Sequence, residues 1–226
     1  MPPDPTPDPT PGSSDKAPTS AAVDPWVQAR WDQRYAERQQ LWSGDPNGAL
    51  VAEVSSLTPG RVLDVGCGEG ADAVWLARLG WDVTALEVSA VALERAAEHA
   101  RDAGVDVRWV HDGLVEADLP PASFDLVSAQ YPALLRTPDA AAERALLAAV
   151  APDGILLLVH HAGMQQHVEH GSEFDPARYV WPEMVIAHLD EGWIVEVDEQ
   201  RPRTTPAGGA GAHHAEDLVL RARRLP

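Results

Sequence analysis

A chain of 226 residues can bury one large core but not two comfortable ones, so a single body with an appended piece is expected. Its net charge of −18 would repel a phosphate backbone, which argues against a nucleic-acid substrate. A lone cysteine, Cys67, excludes an internal disulfide framework and a zinc site of several thiolates, and no run of roughly 18 apolar residues offers a membrane span.

Residues 1–25, MPPDPTPDPTPGSSDKAPTSAAVDP, are dense in Pro, Ser, Thr and Asp and read as a disordered tail. They have neither the basic start and apolar run of a secretory signal nor the Arg-rich amphipathic pattern of a transit peptide, so a cytoplasmic protein is expected. Trp26 to Gln40 spreads apolar and charged residues at helical spacing. Asp45-Pro46 predicts the next helix, an N-cap acid with proline at the first helical position, running to about Leu57 before Thr58-Pro59-Gly60 stops it.

From Arg61 strands and helices alternate. Strands are predicted at 61–65, 82–86, 106–110, 124–129 and 155–160, and helices at 71–79, 89–103 and 139–150. Short apolar strands separated by helix-length segments describe parallel βαβ units and a doubly wound α/β sandwich. After His160 the text turns irregular and polar, an insertion loop, before a helix at 181–190 and strands at 193–197 and 215–222. Residues 201–214 read as a loop or hairpin end, and no internal repeat is present.

The stretch VLDVGCGEGA, residues 62–71, runs from a strand into alternating glycines and then a helix. Such a turn lets backbone amides approach a ligand at the positive end of the helix. Glu87 ends the next strand about 20 residues on, where an acid accepts hydrogen bonds from ribose hydroxyls. An adenosine-containing cofactor follows. NAD competes with S-adenosylmethionine, because Gly66, Gly68 and Ala71 also satisfy the loose dinucleotide fingerprint. The Gly-x-Gly-x-Gly spacing completed by Gly70, Asp64 inside the strand, and Asp112 after the third strand favour S-adenosylmethionine.

In order, VLDVGCGEG, TALEVS, VHDGL, FDLVSAQ and the turn Ala151-Pro152-Asp153-Gly154 before ILLLV resemble the motif series of class I S-adenosylmethionine-dependent methyltransferases, over roughly residues 26–224. The resemblance implies a Rossmann-like, mostly parallel seven-stranded sheet with an antiparallel last strand. It implies that Gly66 and Gly68 hold the amino-acid end of the cofactor with Asp64 in support, that Glu87 binds the ribose, and that Val88 and Asp112 flank the adenine. For Asp64 and Asp112, turn chemistry at a strand end is the plainer alternative. Gln130 is assigned to the cofactor and Tyr131 to the acceptor side. The segment Gln130-Tyr131-Pro132-Ala133 departs from the Asn-Pro-Pro-Tyr type that grips exocyclic amines, so a small-molecule acceptor is expected.

The stretch WDQRYAERQQLWSGDPN resembles the lead-in of the tellurite-resistance and thiopurine methyltransferase-like branch, which methylates thiols or other chalcogen centres. By that likeness Tyr35 and Trp42, with Trp31, lie beside the cofactor on N-terminal helices (26–60) that cover it. Equally, these aromatics staple a helix to the core. Thiols lead as acceptors, with oxygen and nitrogen acceptors as runner-up. A non-catalytic cofactor or metal sensor and an NAD oxidoreductase are the competing classes.

Six of nine histidines fall in two groups, His160, His161, His167 and His170 near the fifth strand's end, and His213 and His214 before the last strand. In the family's sheet the last strand begins beside the fifth strand's C-terminal end, where ligands of open α/β sheets bind. His160, His161, His214 and Tyr131 are therefore the candidate catalytic residues. His161, His167, His170, His213 and His214, with Glu169, Glu173 or Asp175, are the candidate ligands for a divalent metal such as zinc or nickel, solvated loop histidines being the alternative. No pattern sets an oligomeric state.

Overall fold

Val62 and Leu63 are both fully buried, yet consecutive strand residues point to opposite faces, so both faces of this strand must be covered. The computed structural model describes residues 25–164, 175–204 and 214–226 and shows what covers them. The elements are α1 (Pro25–Ala36), α2 (Gly48–Val54), β1 (Arg61–Val65), α3 (Ala71–Arg78), β2 (Asp82–Glu87), α4 (Ala90–Ala103), β3 (Arg108–His111), β4 (Phe124–Gln130), α5 (Ala141–Ala149), β5 (Val150–His161), a 3-10 turn (Pro176–Arg178), α6 (Pro182–Ile186), β6 (Trp193–Pro202) and β7 (Glu216–Arg224).

The seven strands lie in the order β3-β2-β1-β4-β5-β7-β6. β1 to β5 are mutually parallel, and β7 runs antiparallel to both β5 and β6. This is the expected doubly wound, mostly parallel sheet. Two apolar layers flank it: Leu63, Val127, Leu156 and Leu158 pack with Leu146 of α5 on one face, and Val62, Leu126 and Leu157 with Leu76 of α3 and Leu50 of α2 on the other. Truncating any of these leucines to alanine is worth about 2–5 kcal/mol. Strand order reverses between β1 and β4, which opens a crevice at their C-terminal ends.

Several boundaries differ from the sequence expectation, each for a local reason. α1 stops at Ala36 rather than Gln40, because the backbone N–H groups of Leu41 and Trp42 turn away to the Glu69 carboxylate. α2 starts at Gly48, with Asn47 rather than Asp45 at its N-cap; the Asn47 side chain binds Asp72 instead of capping the helix. α5 starts at Ala141, whose N–H is taken by Thr137 Oγ1 while Asp139 pairs with Arg144. β5 begins at Val150, absorbing the expected 151–154 turn through a register irregularity and Asp153 at φ 62°. α6 ends at Ile186 rather than Asp190, and Asp190 Oδ1 instead accepts the Gly192 N–H. β3 is shorter than expected, β6 and β7 are longer, and the latter two form a hairpin. Residues 1–24, which hold nearly all of the expected tail, lie outside the described residues. No helix among the described residues is long and apolar enough to cross a membrane.

Candidate active site

Leaving β1, the chain places Gly66, Gly68 and Gly70 in the left-handed region, at φ 71°, 52° and 83°. The expectation that the loop's amides reach for a ligand is corrected at four positions. The N–H groups of Gly66 and Cys67 both go to Leu86 O (2.8 and 3.0 Å), that of Gly68 to Glu87 Oε2 (3.1 Å) and that of Gly70 to Cys67 O (2.9 Å). What the glycines supply here is clearance. A Cβ on Gly66 would meet nothing within 4 Å and would project into open space, whereas one on Gly70 would lie 2.7 Å from Ala96 Cβ of α4.

That open space belongs to a cavity of about 440 Å³ at the C-terminal ends of the parallel strands. On the side of β1, β2 and β3 its walls include Asp64, Asp72, Glu87, Val88 and Asp112. Glu87, at the end of β2, accepts the Gly68 N–H through Oε2 and the Ser89 N–H (3.0 Å) through Oε1, with lone pairs left over for a diol. Asp64 is 2% exposed and its Oδ2 has no hydrogen-bond partner among the described residues. Burial, together with the charges of Asp72 and Glu87, pushes the Asp64 carboxyl well above its ordinary range. Burial likewise raises Asp72 and Glu87. Asp112 Oδ1 accepts the N–H of Gly113 at 2.9 Å, the turn chemistry expected as its plainer alternative, while the residue still borders the cavity. Cys67 does not fit a nucleophile: burial, Asp64 and Glu87 all push its thiol up, and the thiolate is the reactive form.

Above the loop lie the expected aromatics. Trp42 Nε1 donates to Tyr35 Oη at 3.0 Å, and a Cβ on Gly68 would sit 2.9 Å from that oxygen and 3.1 Å from that nitrogen. Trp31 packs beside them. Burial, then Glu87, raises the Tyr35 phenol, which is neutral. Three carboxylates fasten this segment, and sequence reasoning missed all three in that role. Glu69 accepts the N–H groups of Leu41 and Trp42 and pairs with Arg95 at 2.7 Å. Asp72 accepts Asn47 N and Nδ2, both at 2.7 Å, and Asp32 accepts Ser89 Oγ–H at 2.6 Å. The only signal was that Glu69 and Asp72 sit inside or just after the glycine loop.

The opposite wall comes from β4, β5 and β7. Gln130 donates Nε2 to Ser128 Oγ (3.1 Å), leaving its buried Oε1 without a partner among the described residues. His160 is buried with its ring 4.6 Å from that of Trp181; its Nε2 also has no such partner, and burial followed by neighbouring His161 pushes its pKa down to about 3. His160 is thus neutral near pH 7 and a weak base, which corrects its expected place among general bases. The start of β7 meets the end of β5, as expected from the topology, and the register there pairs His161 with Asp217. Tyr131, at φ 52°, donates its hydroxyl to Asp217 Oδ1 (3.0 Å) and accepts from Arg203 Nε (3.1 Å); burial and Asp217 raise its pKa, so it too is unsuited to act as a base. His161 Nδ1 lies 3.8 Å from Asp217 Oδ1.

The rings of Tyr131, His161 and His214 form a stack, with centroids 4.1 and 4.0 Å apart. The planes of His161 and His214 are 17° from parallel, so their in-plane lone pairs do not converge on one ion at the 2.0–2.1 Å zinc needs. No metal-holding group of three or more residues occurs among the described residues. His167, His170 and His213 lie outside them, as do Glu169 and Glu173.

Known proteins are similar to this chain in sequence over part of its length and share its fold. Residues 62–154 match the family described as "Methyltransferase domain". An uncharacterized methyltransferase of Mycobacterium tuberculosis is 40% identical over 89 residues, which are 39% of this chain and 44% of that protein. A ubiquinone biosynthesis O-methyltransferase of Pectobacterium carotovorum is 34% identical over 105 residues, 45% of this chain and 44% of that one. The chain thus spans less than half the length of these relatives. Among solved structures, one described as "Conversion of a Disulfide Bond into a Thioacetal Group during Echinomycin Biosynthesis" superposes with a TM-score of 0.69 at 23% identity, covering 88% of this chain and 92% of the other. TehB from Haemophilus influenzae gives 0.59 at 15% identity, covering 79% and 62%. The acids around the loop favour one of the two cofactors of the sequence reading: Asp64, Asp72 and Glu87 offer an anionic pyrophosphate no donor of positive charge, whereas a sulfonium or an ammonium would stabilise their ionised forms. A cationic methyl donor is the ligand that this loop suits, in keeping with the similarity of residues 62–154 to methyltransferase domains.

Proposed function

We propose that the protein transfers a methyl group from S-adenosylmethionine to a small molecule, with a thiol or related chalcogen as the preferred acceptor. The observation that carries the reading is a single cavity that joins the glycine loop and Glu87 to a wall of Gln130, His160 and His161. The bound cofactor supplies a methyl group on a positively charged sulfur. In this reading Asp64 and Glu87 hold its cationic and ribose ends, Val88 and Asp112 border its base, and Tyr35 and Trp42 exclude water above the loop. Gln130 Oε1 and His160 Nε2, two buried acceptors, orient the X–H of the incoming molecule. Displacement at methyl is then chiefly positioning and exclusion of water.

The preference for sulfur rests on the absence of a strong base in two of the expected places. His160 at about 3 and a Tyr131 whose hydroxyl is held between Asp217 and Arg203 leave an alcohol undeprotonated, whereas a thiol is already partly thiolate near neutral pH. Likeness of the N-terminal stretch to the tellurite-resistance and thiopurine-like branch points the same way. A second reading, O-methyl transfer, is favoured by His161, an imidazole that lines the cavity with its Nδ1 3.8 Å from Asp217 Oδ1. The net charge of −18 supports a small acceptor over nucleic acid in either case.

Release of S-adenosylhomocysteine by purified protein, measured against matched thiol, selenol, phenol and amine panels, tests the proposal. Product confined to thiols and selenols, persisting in His161→Gln, supports the chalcogen reading. Phenol turnover that His161→Gln abolishes replaces it with the oxygen reading, and cofactor binding without product from any panel overturns both.

A further inference from the structure

α1 carries two adjacent rows at i, i+4, i+8 spacing, Val27-Trp31-Tyr35 and Trp26-Arg30-Arg34, and all six residues border the cavity. The first row serves the cofactor side, where Tyr35 meets Gly68 and Trp42. The second is basic. It reaches a different segment of the chain: Arg30 lies 5.2 Å from the centroid of the Trp26 ring, and Arg178, from the 3-10 turn after β5, lies 5.9 Å from the same centroid. Arg178 is held at this rim by the Leu135–Tyr179 bridge and by its own carbonyl, which accepts the Arg136 N–H at 2.8 Å. Trp26 is 53% exposed, an unusual place for so large an apolar ring.

Two guanidinium groups gathered on one exposed indole, with Arg34 one turn further along, make a basic rim on a chain of net charge −18. The same cavity is acidic at its other end, with Asp64, Asp72 and Glu87. A pocket polarised this way holds a cationic ligand at one end and an anionic one at the other. Guanidinium groups present fixed forks of donors that match a carboxylate, and the other aromatic rings lining the same cavity, Trp31, Tyr179 and Trp181, suit an aromatic or apolar body.

We infer that the methyl acceptor is an anion, a carboxylate-bearing molecule with an aromatic or apolar body, whose carboxylate is held at the cavity mouth by Arg30 and Arg178. The inference rests on the methyl-transfer reading of the cavity and adds the acceptor's charge to it. It also assigns the basic rim a specificity role, because a neutral molecule of the same shape gains nothing from the guanidinium pair, while the net negative field of the protein discourages anions everywhere else.

The test uses full-length protein saturated with S-adenosylhomocysteine and titrated calorimetrically with 4-mercaptobenzoate and its neutral analogue 4-mercaptobenzamide. The benzoate is expected to bind roughly ten- to a hundredfold more tightly. In Arg30→Gln/Arg178→Gln the preference should fall to near unity, with S-adenosylhomocysteine affinity retained, and Arg178→Glu should reverse it. Equal affinity for the two thiols, binding of neither, or a preference that survives the double substitution overturns the anionic acceptor while leaving the cofactor reading intact. Failure of S-adenosylhomocysteine itself to bind overturns the reading on which the inference rests.

Discussion

Glu69 accepts the backbone N–H of Trp42 at 2.9 Å, so a residue of the glycine loop fixes the segment that roofs it. The same carboxylate takes the Leu41 N–H and the Arg95 guanidinium, and Arg95 in turn donates to the carbonyls of Tyr35 and Arg38. Glu69 is 3% exposed and Arg95 21%, so the acid is the more expensive member to disturb. Glu69→Gln turns one acceptor into a donor facing other donors and is expected to cost about 1–3 kcal/mol. Thermal melting should show that loss in the ligand-free protein. Titration with S-adenosylhomocysteine should show a further loss of affinity, because the roof closes less often. Unchanged affinity alongside a lowered melting temperature would mean that residues 32–47 are a structural brace and not a cover.

Three glycines separate backbone strain from obstruction. Gly66, Gly68 and Gly80 all have positive φ, so an alanine at each carries a left-handed penalty of roughly 1–2 kcal/mol. Gly80 is away from the cavity with nothing within 4 Å of its Cβ position, and Gly80→Ala should show that penalty alone, with cofactor affinity unchanged. Gly66→Ala has the same freedom from protein atoms but points into the cavity, so its loss of cofactor affinity should far exceed its loss of stability. Gly68→Ala meets Tyr35 Oη and Trp42 Nε1 and should lower both. Equal binding by Gly66→Ala and wild type would move the cofactor off this loop.

The raised Asp64 carboxyl makes cofactor binding pH-dependent with a definite sign. Burial and the neighbouring Asp72 and Glu87 disfavour its charged form in the ligand-free protein, so at neutral pH this group opposes folding, and the opposition is relieved as pH falls through its raised value. A sulfonium cation favours the charged form. Binding should therefore release protons, and affinity should fall with pH well before an ordinary carboxylate would protonate. Calorimetry in buffers of different ionisation enthalpy measures the release. Asp64→Asn should raise the melting temperature of the ligand-free protein, weaken S-adenosylmethionine binding and abolish the proton release. Release that persists in that variant would assign it to Asp72 or Glu87 instead.

The parallel strands, the glycine loop and Glu87 at a strand end were legible in the sequence because each leaves a local trace: apolar runs bounded by turns, glycines where φ must be positive, an acid ending a strand. The histidine–Asp217 neighbourhood was legible only in part. The topology brought His161 to the start of β7, but nothing in the text announced Asp217 or Arg203 as partners of Tyr131. The Glu69, Asp72 and Asp32 contacts were illegible for a further reason. Each joins residues 25 to 57 positions apart through a single hydrogen-bonded carboxylate, which has no periodicity and no propensity signature. Helix ends went astray at the same places, since α1 and α2 give up helical residues to make those contacts.

Tyr131 bridges Asp217 and Arg203, which also lie within 3.7 Å of each other. Its left-handed backbone, at φ 52°, is a cost that an L side chain bears only where its surroundings hold it. Tyr131→Phe keeps the ring stacked on His161 and beneath the Arg203 guanidinium but removes the hydroxyl. Arg203 can still neutralise Asp217, so the stability loss should stay near the net worth of a hydrogen bond, about 1 kcal/mol. The functional effect should appear on the acceptor side. With the hydroxyl gone, Arg203 and Asp217 are expected to draw together and shift His161 with them, raising KM for the acceptor while leaving S-adenosylmethionine affinity as it was. A fall in kcat with unchanged KM would instead give the hydroxyl a part in the transfer step, and a loss of cofactor affinity would place Tyr131 on the other side of the cavity's division of labour.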